Sequence, residues 1–275
     1  MAGCVKTISP RTLLGLQVLA FWPAWQWFWW RMSTCPNEIW EVLPLIVVAG
    51  LLFIRWRPSP GDPEQAGTDL RLPAVLTLLY AITYMMLPSL ARVALAFTAL
   101  TATLSVIFLK RRFHLGLWGL MLLSLQLHNG LQFYLGYPLR VFAAAITAPL
   151  LRLSGFNVIR EGTCLNWGGE LILIDAPCSG IKMLWAGLFL AFVLTTFGNL
   201  NTLRSMILFT YATIIVVLAN ILRATALFYI EANVISAPAW SHAGIGVLMF
   251  AFTAISIVLC VEKFQKEGPC AAPSL

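Results

Sequence analysis

Apolar runs recur along the whole chain, separated by short polar or basic punctuation. They cover about 13–30, 39–54, 72–88, 91–109, 113–130, 180–198, 204–229 and 242–261. An α-helix rises ~1.5 Å per residue, so runs of this length match a bilayer core of about 30 Å. The pattern predicts eight transmembrane helices. Only helices and closed barrels satisfy their own backbone hydrogen bonds in lipid. Alternating barrel strands of about ten residues are not part of the pattern. The expected fold is therefore an all-α polytopic membrane protein.

Two stretches fall outside this rhythm. In "LQFYLGYPLRVFAAAITAPLLRL" (131–153), Pro138, Arg140, Pro149 and Arg152 interrupt an apolar segment. The expectation is an interfacial helix lying in, or dipping into, the outer membrane surface after helix 5. "GFNVIREGTCLNWGGELILID" (155–175) has Gly-Thr and Gly-Gly punctuation between two strand-like segments, "FNVIR" and "ELILI". A short external β-hairpin leading into helix 6 is expected. The chain then reads as one integral membrane domain, 1–275. It has a five-helix part (1–130), an external part (131–175) and a three-helix part (176–265).

Composition agrees with the pattern. Of 275 residues, 60% are hydrophobic and 11% charged, where a water-soluble domain carries about 25% charge. The net charge of +7 could suggest nucleic acid, but the basic residues cluster between apolar runs, where they carry topology information instead. No cleavable leader is read at the start, and the first run is taken as a retained span. Placing both termini in the cytoplasm puts most Lys and Arg inside, including the tight "KRR" at 110–112. Trp25, Trp27, Trp29, Trp30 and Trp40 then crowd the outer interface.

Helix rise locates the polar residues in depth. Cys178 begins helix 6, Arg223 lies near the end of helix 7, and His242 begins helix 8. These helices alternate in direction, so the three residues share one depth near the outer interface. A thiolate is a nucleophile, favoured at a helix N-terminus, and Pro177 and Gly180 suit such a turn. His242 could shuttle the proton. Arg223 could hold an oxyanion or a substrate carboxylate, and an arginine inside a membrane is costly without a function. Asn220 sits on the same helix face as Arg223. Asp175, Ser179 and Gly180 are supporting residues.

Each residue also has a plain structural reading. A cysteine is often a small buried hydrophobe. His242 could cap helix 8 with Ser241, Arg223 could snorkel or pair with Glu231, and Asp175 could serve only as a turn or cap residue. His128 is the rival base, and His114 reads as an interface residue. Cys4, Cys260 and Cys270 face the cytoplasm and should be reduced, whereas Cys35 and Cys164 face outward and could form a disulfide. No metal-ligand spacing, GxSxG, GxGxxG or P-loop is found, so neither metal nor cofactor is expected.

The segments "APCSGIKML", "NILRATALF" (220–228) and "SHAGIG" (241–246), in this order, resemble the three motifs of the exosortase/archaeosortase family. The preceding "LRLSGFNVIREGTCL" is similar to that family's G-x-x-V-x-x-x-G segment. The resemblance covers roughly 135–250. It implies a polytopic cysteine transpeptidase of the prokaryotic plasma (inner) membrane, with its site facing outward. Its substrates would be exported proteins with a C-terminal sorting signal: a short motif such as Pro-Glu-Pro, a membrane helix and a basic tail. The family's nucleophile falls on Cys178, its arginine on Arg223, its histidine on His242 and its asparagine on Asn220. The lead-in "DAP" departs from the less polar residues of many members, which bears on the recognised motif. The external hairpin would take that motif by strand addition. The competing readings are a transporter or channel, expected to carry polar residues near the midplane, and a membrane acyltransferase.

Overall fold

A computed structural model describes residues 9–55, 69–238 and 240–266, with the backbone alone at 36–38 and 176–177. Cys4 and Cys270, named above, lie outside the described residues. The chain forms two compact units. One runs to Gln126 and includes Thr195–Thr202; the other comprises Leu127–Leu194 and the chain from Leu203 onward.

In the first unit, the single span expected at 13–30 is broken. Helix α1 (Pro10–Ala20) ends at Phe21, and α2 (Trp22–Thr34) starts there. Pro23 has no N–H to donate back into α1, so the ladder stops. Phe21 is buried at the break, its ring 4.6 Å from that of Tyr80 on α4 (Arg71–Thr83). Buried Gln17 ties three helices. Its Nε2 donates to Thr77 Oγ1 on α4 at 2.8 Å. Its Oε1 accepts from Thr103 Oγ1 at 2.7 Å, on α5 (Ser89–Leu109). A 3-10 turn (Pro36–Val42) leads into α3 (Leu43–Arg55).

The run expected as helix 5 (113–130) is also divided. Helix α6 (Leu115–Leu123) ends in a turn where Gln126 adopts φ 53°. His114 is the buried N-cap of α6, and its Nδ1 accepts from Leu117 N at 3.3 Å. It caps α6 from a buried position.

The second unit opens with α7 (His128–Leu153), a continuous helix of 26 residues that passes through Pro138 and Pro149. It is long and apolar enough to cross a membrane; the helix expected over 131–153 is present and begins three residues earlier. The chain then forms a three-stranded antiparallel meander: β1 (Ile159–Glu161), β2 (Cys164–Trp167) and β3 (Glu170–Leu173). The two strands expected to pair with each other do not. Each pairs with β2, so the two-stranded hairpin becomes a sheet. The β2–β3 turn is Gly168-Gly169, with φ of +61° and +90°. A two-residue turn of this hand suits the strand twist and favours glycine at both positions.

One face of the sheet is covered. Leu165, Ile172 and Ile174 join a core with Ala144 and Leu151 of α7, and with Ala224, Leu227 and Phe228 of α9 (Thr202–Glu231). The Phe156 ring stacks edge-on to Trp167 at 5.5 Å and to Phe228 at 5.6 Å. After β3 come a 3-10 turn (Ala176–Ser179), α8 (Ile181–Phe197), α9 and α10 (Ser241–Lys266). Among the described residues, α5, α7, α9 and α10 have the length and apolarity to cross a membrane, and α4 and α8 are shorter apolar helices. The protein is thus a helical, polytopic membrane protein with a small sheet.

Candidate functional site

The turn that carries Cys178 is fixed from three directions. Cys178 N donates to the Asp175 carbonyl at 2.9 Å, closing the 3-10 turn. Asp175 is exposed and extended, and its side chain makes no cap hydrogen bond, so its backbone, not its carboxylate, caps the turn. From α9, Asn220 Nδ2 donates to the Cys178 carbonyl at 2.9 Å. From α7, Gln132 Oε1 accepts from Ser179 Oγ at 2.9 Å.

Gly180 ends the turn at φ +80°, and a Cβ there would lie 2.8 Å from Asn220 Cγ. Two requirements therefore meet at this residue: a left-handed backbone and room for the asparagine that grips the turn. Gly136 on α7 plays the corresponding part for Gln132, since a Cβ there would lie 2.9 Å from Gln132 Nε2.

The thiol itself is buried, with Cys178 6% exposed, in the core shared by the sheet and α9. Burial pushes its pKa up, the Arg223 guanidinium draws it down, and Glu231 and Asp175 push it up again. Arg223 lies one turn beyond Asn220 on α9. Gly246 of α10 makes way for it: a Cβ there would sit 3.4 Å from Arg223 Nε. The second glycine of "SHAGIG" is thus a packing partner of the arginine. His242, in the first turn of α10, is half-exposed and places Nε2 3.7 Å from Glu231 Oε1, at the end of α9.

The structure thus brings Asp175, Cys178, Ser179, Gly180, Asn220, Arg223 and His242 into the second unit, on the start of α8, the end of α9 and the start of α10. The sequence reading missed two contacts. Gln132 lies far from the motifs and inside an apolar run, with nothing to mark it. Glu231, read as an alternative partner for Arg223, faces His242. His128 lies in the first turn of α7.

An apolar cleft of about 760 Å³ opens between α9 and α10. Leu222, Ala226, Tyr229, Trp240, Ile245 and Leu248 are among its walls. Tyr229 and Ile245 also pack against the core that contains Cys178. Cys35 and Cys164 are each free thiols. Among the described residues, no three His, Cys, Asp or Glu side chains converge as a metal site.

The second unit holds groups suited to acyl transfer: a buried thiol, a guanidinium that acts on it, and an imidazole facing a carboxylate. A family model for transmembrane exosortases matches residues 18–259. Neither the curated proteins nor the solved structures include a match. The family match reaches well beyond the three motifs, back to α1, and takes in every element of the site. The chain belongs to the transmembrane exosortase family.

Proposed function

We propose that this protein is a membrane cysteine peptidase or transpeptidase that removes a C-terminal sorting signal from exported proteins. Family membership supports the broad role. The observation that carries the finer reading is the clamped Cys178 turn. Asn220 holds its backbone, and Arg223, next on the same helix face, acts electrostatically on its thiol.

The reaction follows from these groups. His242 takes the thiol proton, and Cys178 Sγ attacks the scissile carbonyl, forming a C–S bond. Arg223 stabilises the oxyanion. His242 returns the proton to the leaving amine as the C–N bond breaks, and Glu231 holds the imidazolium between these steps. The substrate's membrane helix and basic tail depart, leaving a thioester. An incoming amine or water then attacks the thioester carbonyl and passes its proton through His242. The C–S bond breaks and the thiol is restored. The cleft between α9 and α10 accommodates the apolar helix before release. The site faces the outer side of a prokaryotic plasma membrane, and both termini lie in the cytoplasm.

The test is intact mass. The protein is co-expressed with a tagged exported protein that ends in a short motif, an apolar helix and a basic tail. Wild type removes the tail and Cys178→Ser does not. Arg223→Ala lowers the rate by about 10²–10³, the usual loss for one oxyanion donor. His242→Ala also impairs processing. Unchanged processing by Cys178→Ser would sink the nucleophile assignment.

A further inference from the structure

The sheet ends in a strand whose outer edge points along the path to the nucleophile. β3 pairs with β2, in the order β1-β2-β3, and is an edge of the sheet. The register shows which of its backbone groups are used. Ile174 N donates inward to the Thr163 carbonyl at 3.1 Å. Neighbouring residues in a strand turn their N–H and C=O to opposite sides. Ile172 and Glu170 therefore also face β2, whereas the amides of Leu171 and Leu173 face away from it. Their side chains lie opposite the core, with Leu171 60% and Leu173 47% exposed.

Edges of this kind are normally blunted by proline, lysine or a bulge. β3 has no proline or lysine, and its pairing with β2 runs without a bulge. Only Ile174 to Pro177 separate it from Cys178.

We infer that the open edge of β3 is the subsite for the extended motif of the sorting signal, which adds to the sheet as a parallel fourth strand. This rests on the peptidase reading above. The occupant is fixed by chain order. β3 is a strand that leads through a turn into an apolar helix, and the sorting signal is likewise an extended motif that leads into one. Aligned side by side, the two chains run in the same direction, and the C-terminal end of the motif arrives at Cys178. In a parallel ladder, each outward residue donates its N–H to one carbonyl of the added strand and accepts one N–H from that strand at its own C=O. Leu171 and Leu173 lie about 6.6 Å apart along the strand, which matches a motif of about three or four residues. Such a site reads backbone first, and the exposed leucine side chains act as a secondary filter.

Proline is the discriminating substitution. At Leu171 or Leu173 it removes an N–H that the sheet does not use, and edge positions of that kind tolerate it. With the tagged substrate protein described above, Leu171→Pro and Leu173→Pro are expected to slow tail loss about tenfold, the loss of roughly one backbone hydrogen bond to the substrate. Leu171→Thr and Leu173→Thr keep the amide and cost less than proline at the same position. Proline variants that process at the wild-type rate overturn the inference and leave the peptidase reading intact. No tail loss even by wild type removes both.

Should the proline variants fail to accumulate in the membrane, a disulfide test replaces them. Leu171→Cys is combined with Cys178→Ser, and single cysteines are walked through the substrate motif. A covalent adduct at one register supports the strand. Absence of an adduct at every position overturns it.

Discussion

At the residue scale, Cys178 is under two opposed influences. Burial raises its pKa and Arg223 lowers it. The thiolate is the reactive form, so removing the guanidinium should leave the thiol more protonated at a given pH. Arg223→Ala is therefore expected to shift the pH midpoint of Cys178 alkylation upward and to slow alkylation near pH 7. The measurement is the alkylation rate, by a small membrane-permeant maleimide, of a chain whose other cysteines are replaced by serine. An unshifted midpoint would mean that Arg223 acts on substrate alone. The candidate residues stand out in the sequence as polar exceptions in an apolar chain, and helix length alone leads to the expectation that Cys178, Arg223 and His242 share one depth. Gln132 was not legible. A glutamine near a helix start has many ordinary uses, and only the fold sets it against Ser179.

At the element scale, the apolar runs fixed where the helices are and misplaced where they break. α6 rises only about 14 Å, whereas α7 rises about 39 Å. The sequence reading gave a crossing to 113–130 and laid 131–153 along the interface; α7 has the length and apolarity to cross a membrane, and α6 does not. Prolines misled that reading: Pro138 and Pro149 marked 131–153 as interrupted, yet α7 continues through both. Gln126, with φ 53°, marks the real break and is not a residue type that announces one. The middle strand was hidden similarly, since "CLNW" lacks the β-branched run of a strand and reads as a loop. If α7 crosses, a cysteine placed at Gly130 is shielded from a membrane-impermeant thiol reagent in intact cells, and one placed at Gly162 is labelled. Equal labelling of both would mean that 128–153 lies along the outer interface.

At the scale of the whole molecule, two compact units divide the work. The first is a helical body organised around α5, with Gln17 bonded between α4 and α5. The second contains the sheet, the Cys178 turn and the ends of α9 and α10. The family match spans both units, although the motifs recognisable by eye lie in the second. The first half was legible only as generic apolar helix, because its packing depends on which apolar residues face inward, and that follows from tertiary contacts.

Helix α9 runs without interruption for 30 residues, a length of about 45 Å against a hydrocarbon core of about 30 Å. It must tilt or project from the bilayer, and Arg223 and Glu231 ride on its final turns. The height of Arg223 and Glu231 above the acyl chains is then set by the lipid as well as by the protein. Reconstitution in bilayers of increasing acyl length should draw Arg223 toward the hydrocarbon and slow tail removal, while shorter lipids lift it clear. A rate indifferent to acyl length would show that α9 absorbs the mismatch by tilting. The thickness of the host membrane thereby becomes a control on turnover.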